Sequence, residues 1–109
     1  MSTAVADQVD ARVARELWSS FISLLRSYTA AHGLNGARQA VLEVSEDHVL
    51  VRAGERLLTV RFDGARGHWQ RESGPATDFS LDEHARVIVA GAVEEMDMVA
   101  ERLAREIMR

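Results

Sequence analysis

Two hairpins can be read, register included, from the letters between Gln39 and Glu72. Ala40, Leu42 and Val44 alternate with Val41, Glu43 and Ser45. Val49 and Val51 alternate with His48, Leu50 and Arg52, and Leu58, Val60 and Phe62 with Leu57, Thr59 and Arg61. Period-two runs rich in β-branched and aromatic residues are the strand signal. The gaps between the runs are Glu46-Asp47 and Gly54-Glu55. Two-residue loops are the commonest hairpin connection, and glycine in the first loop position suits a type II′ turn.

Loop length fixes register. The first loop sets Val44 opposite Val49 and Leu42 opposite Val51. The second sets Val51 opposite Leu58 and Val49 opposite Val60. Every apolar residue of the inner face then meets another across a strand boundary, the contact that stabilises a sheet. A fourth strand over His68–Glu72 follows a turn at Asp63–Gly67 rich in residues that favour turns. Pairing Asp63 with His68 turns Trp69 inward beside Phe62, where its large ring is better buried than His68 or Gln70.

Ahead of the meander, residues 1–8 are expected to be disordered, and residues 9–109 to form one α+β domain. Asp7 or Asp10 can cap a helix from Ala11 to about Gly33. At about 100° per residue, Val13, Ala14, Leu17, Trp18, Phe21, Ile22, Leu24, Leu25 and Tyr28 fill one half of its wheel. That arc is wider than the ~100° stripe needed to sit on one surface, so a second surface is expected. Gly36 adds flexibility before the sheet.

After the linker Ser73–Thr77, Ser80-Leu81-Asp82-Glu83 fits a capping box. Leu81, Ala85, Ile88, Val89, Ala92, Val93, Met96, Val99, Ala100, Leu103 and Ile107 keep one helical phase. Phase and cap favour a long helix over 81–108. Against it, Arg86–Ala90 is β-branched and precedes Gly91; a fifth strand at 86–90 would confine the helix to 93–108. The expected fold is thus α+β: a helix, an antiparallel meander of at least four strands (39–72), and a C-terminal helix.

Composition narrows function. The chain has 109 residues, enough for one core, and 47% are apolar. With no cysteine, thiol catalysis, thiolate metal sites and disulfides are excluded. A net charge of −4 and no basic run count against nucleic acid. No stretch is long and apolar enough for a membrane span, and the start is too polar for a signal peptide, which makes cytoplasm the default. The helix-meander-helix order is similar to that of double-stranded-RNA-binding domains and some nucleoid-associated proteins. Its start is similar to that of the dimeric, acidic type III secretion chaperones. No motif ties the chain to any of these groups.

No spacing of His32, His48, His68 and His84 matches a metal motif, and no cofactor is expected. No serine lies in a nucleophile elbow. Gly64–Gly67 reads as a turn, not a phosphate loop. Glu94, Glu95 and Asp97 read as a solvated helix face. No catalytic residue is assigned.

One surface stands out. The outer sheet face carries Leu50, with Val41 and Leu57 diagonally near, inside a rim of Glu43, Arg52, Thr59 and Arg61. An apolar centre with a charged rim suits an interface. With Trp18 and Ile22 at the leftover edge of the first helix, these residues form the candidate interface of a homodimer or of a complex with another protein. The expected function is a small non-enzymatic protein-binding module, adaptor-like or chaperone-like. The alternative is a ligand-binding or enzymatic domain. Its apolar pocket would be lined by Trp18, Phe21, Tyr28, Phe62 and Trp69, with His68 or Arg71 as the polar contact.

Overall fold

The computed structural model describes residues 10–34, 39–72 and 74–109. The disorder expected for residues 1–8, the alternative cap Asp7, the flexible Gly36 and the first linker residue Ser73 lie outside those residues. The element order is α1 (Ala11–Gly33), β1 (Ala40–Val44), β2 (His48–Ala53), β3 (Arg56–Asp63), β4 (Arg66–Arg71), β5 (Thr77–Leu81), β6 (Arg86–Val89), β7 (Ala92–Glu95) and α2 (Met96–Ile107). The seven strands form one antiparallel sheet in sequence order, so the α+β class stands with more strands than the sequence suggested.

Asp10 caps α1, its carboxylate accepting from the Val13 amide at 2.9 Å. The helix ends where expected but not by the expected device. Gly33 is its last residue, and Leu34 follows in right-handed helical conformation instead of a left-handed glycine cap.

Both predicted registers are present: Val44 faces Val49, Leu42 faces Val51, Val51 faces Leu58 and Val49 faces Val60. Val49, Val51, Leu58 and Val60 are fully buried. Gly54 has φ +63° in the first loop position, as a type II′ turn requires. The third hairpin is tighter than expected. Asp63 pairs with Arg66 around Gly64-Ala65, and β4 begins at Arg66. The shift is two residues, an even number, so Trp69 keeps its inward direction, opposite Val60 rather than Phe62.

The long helix over 81–108 is not formed. Its first half is the end of β5, the loop after it and the β6–β7 hairpin. Thr77, Phe79 and Leu81 alternate with Asp78 and Ser80 in β5; Phe79 and Leu81 are buried. Val87, which the helical stripe excluded, is fully buried, whereas Ala92 and Val93, which it included, are exposed. The fifth-strand alternative at 86–90 is nearer: β6 spans Arg86–Val89, and the helix is confined to Met96–Ile107. Ala90 and Gly91 both have positive φ, +50° and +85°, the requirement of a type I′ turn, and close β6 onto β7 between Val89 and Ala92.

The apparent capping box is a loop built on Asp82. This buried carboxylate accepts from the backbone N–H groups of His84 at 2.9 Å and Arg86 at 3.0 Å, and from the Arg86 guanidinium at 2.9 Å. Those bonds hold Ala85 at φ +61°. Aspartate favours such local turns for the same reason it favours helix caps. Glu94 and Glu95 lie in β7 instead of on a helix face, and Glu94 pairs with Arg102 of α2.

Both helices cover the inner face. Phe21 and Leu25 of α1, and Val99, Leu103 and Ile107 of α2, meet Leu58, Val60, Leu81 and Val87 of the sheet in one core. α1 packs along α2, with His32 2.9 Å from Glu101. The wide arc of α1 therefore has its second surface in its own chain.

Candidate interaction surface

The outer face is built in rows across β1–β5, because cross-strand partners point the same way. One row is Val41, Arg52 and Leu57. The next is Glu43, Leu50, Thr59 and Gln70, and a third is His48, Arg61, His68 and Asp78. Val41 is 58% exposed, while Leu50 and Leu57 are half-buried. The structure thus brings the three sheet residues of the candidate interface onto adjoining rows. Glu43 and Arg52 flank them, ion-paired at 3.2 Å.

The α1 half of the candidate interface is divided. Trp18 is 4% exposed; its indole stacks on Phe62 at 4.1 Å and donates to the Gly64 carbonyl at 2.6 Å. Its area is spent within the chain. Ile22 is half-buried and lines a groove of about 570 Å³ between α1 and the β1–β2 loop, with Ala14, Val44 and Phe62. Val44 is 48% exposed although it points to the inner face, because β1 is an edge strand.

The aromatic rings of the alternative pocket crowd the space between sheet and helices. Trp18, Phe21, Phe62, Trp69 and Phe79 occupy that space themselves: Trp69 lies 4.8 Å from Phe79, and Trp18 5.5 Å from Phe79. Tyr28 is half-buried at the margin of the core. Arg71 pairs with Glu106 of α2 at 3.1 Å. His68 lies on the opposite, outer face, in register with Arg61 and Asp78.

A depression of about 520 Å³ is lined by Phe62, Gly67 and Phe79 as well as by Asp47, Arg61, Arg66, His68 and Asp78, and so joins Phe62 and His68 of the alternative pocket. The ring nitrogen of His48, 2.7 Å away, holds the Asp47 carboxyl below its ordinary range. Acidic and basic groups are interleaved here, so the depression presents no single sign of charge to a ligand. No three histidine, aspartate or glutamate side chains gather as a metal set among the described residues. No described helix is long and apolar enough to cross a membrane.

Comparison with known proteins gives no matching family, no matching curated protein and no matching solved structure.

Sequence reasoning overlooked the two sheet edges. Of the five large hydrophobics left exposed among the described residues, Val41 and Val44 lie on β1 and Val93 on β7. The period-two pattern places Val44 on a covered inner face, and helical phase places Val93 on a helix. The pair Ala90-Gly91, read as a turn, would have located the second edge.

Proposed function

We propose that this chain is a small, non-enzymatic protein-interaction module of the cytoplasm, working as a homodimer in an adaptor or chaperone-like role. The observation that carries this reading is the concentration of exposed apolar side chains on the two edge strands. Edge strands present unpaired backbone groups and are templates for association unless charged, bulged or covered. The patch of Val41, Leu50 and Leu57 adds a polar-rimmed docking surface beside β1.

The enclosed-ligand reading is disfavoured by the aromatic rings that fill the space between sheet and helices. Thermal shift against a panel of metabolites and metal ions separates the two. The module reading expects a flat panel. A specific shift of several degrees would overturn it in favour of a ligand site.

A further inference from the structure

β1 has β2 on one side only, and no described strand pairs with its other side. Which of its backbone groups face outward follows from the hairpin. The Ser45 amide donates to the His48 carbonyl at 2.8 Å, so Ser45 and His48 form a hydrogen-bonded pair. Such pairs alternate with non-bonded ones along an antiparallel ladder. Glu43 and Val41 therefore bond to β2, while Ala40, Leu42 and Val44, opposite Ala53, Val51 and Val49, turn their N–H and C=O groups to the free edge.

We infer that this edge pairs, antiparallel and about a twofold axis through Leu42, with β1 of a second copy of the chain. The inference rests on the homodimer reading and locates its interface. In this register Leu42 faces the second copy's Leu42, and Ala40 faces the second copy's Val44. Every outward donor and acceptor of β1 is then satisfied. On the outer face Glu43 meets the second copy's Val41, and each Glu43 retains its own Arg52. The seam thus carries opposite charges in equal number, with the exposed Val41 side chains beside it. A twofold axis through Glu43 would instead oppose two glutamates, which is unfavourable. One through Val41 would set Val44 opposite residue 38, outside β1. Neither proline nor lysine guards the strand, and its one charge is already ion-paired. Pairing would also join the two Val41–Leu50–Leu57 patches across one continuous sheet.

The test uses Val44→Pro and Val44→Lys in sedimentation velocity with circular dichroism. Proline at Val44 removes only an outward N–H, so the β1–β2 ladder survives. Both variants are expected to stay folded and to sediment as monomers where the wild type dimerises. A folded variant that still dimerises as the wild type does overturns edge pairing and leaves the homodimer reading standing. Wild-type protein that stays monomeric overturns both. Species extending beyond the dimer would indicate β1 joining β7 of the next copy, and overturn the twofold arrangement. Amide exchange on the wild type serves if the variants misfold. Ala40, Leu42 and Val44 should gain protection with rising concentration, while Val41 and Glu43 are protected throughout. A dimer in which those three amides still exchange freely contradicts the inference.

Discussion

The indole N–H of Trp18 donates to the carbonyl of Gly64, 2.6 Å away, pinning the middle of α1 to the tip of the β3–β4 hairpin. The same ring stacks on Phe62 and covers Gly67, where an added Cβ would lie 2.9 Å from the indole and 2.5 Å from the Arg61 carbonyl. Sequence-distant elements are joined here by a hydrogen bond, a stacked pair and a close approach that only glycine permits.

Gly67→Ala tests that joint. Backbone cannot yield easily, so the methyl should displace Trp18 and cost about 1–3 kcal/mol, as overpacking does. Trp18→Ala should cost more, about 3–5 kcal/mol, through lost area and a cavity. Chemical denaturation measures both. A Gly67→Ala variant as stable as wild type would mean that Trp18 does not lie over β4.

Val51 is fully buried between Leu42 and Leu58. Val51→Asp should prevent folding, because an unpaired buried charge costs several kcal/mol or more, comparable with the whole stability of a domain. Circular dichroism and proteolysis read the outcome; a cooperatively folded variant would invert the strand faces.

The β6–β7 turn gives a test whose sign depends on the fold. Ala90 sits at φ +50°, where a Cβ costs about 1–2 kcal/mol. Ala90→Gly relieves that strain, against a chain-entropy cost of roughly 0.5–1 kcal/mol. The variant should be neutral or slightly more stable. In a continuous helix the same change would lower stability by about 1 kcal/mol. A fall of that size in thermal denaturation would restore the helix.

Asp82 gives the pH dependence. Burial raises its carboxyl pKa, but the backbone N–H groups of Arg86 and His84, with the Arg86 side chain, outweigh burial and hold it below the usual 3.8. A carboxyl depressed in the folded state stabilises above its unfolded pKa and loses that contribution as pH falls through the folded value. Asp82→Ala leaves buried N–H groups unpaired and should cost about 1–3 kcal/mol at neutral pH. The gap between variant and wild-type melting temperatures should narrow below about pH 4. A gap that is constant with pH would mean the ionised carboxylate does not hold the loop.

What the letters disclosed follows from what is local. Two-residue loops and a strict period of two determined which residues of β1, β2 and β3 meet. The 81–108 stretch misled because strands from short hairpins can place Leu81, Ile88 and Val89 at helical spacing by coincidence. Phase alone does not separate the readings; the buried Val87 and the positive φ values at Ala85, Ala90 and Gly91 do. Likewise the wheel of α1 disclosed a second contact surface but not which one. That surface is α2, and Trp18 is held inside by the hairpin tip. The exposure of Val44 depends on where the sheet ends and how far α1 reaches, neither of which is a property of the strand's own residues.

Sedimentation velocity of the wild-type chain bears most directly on the proposed function. Between about 1 and 100 µM, a range that brackets micromolar association, the weight-average mass should rise from one chain of 12.1 kDa toward two. A single species of one-chain mass across that whole range would contradict the account.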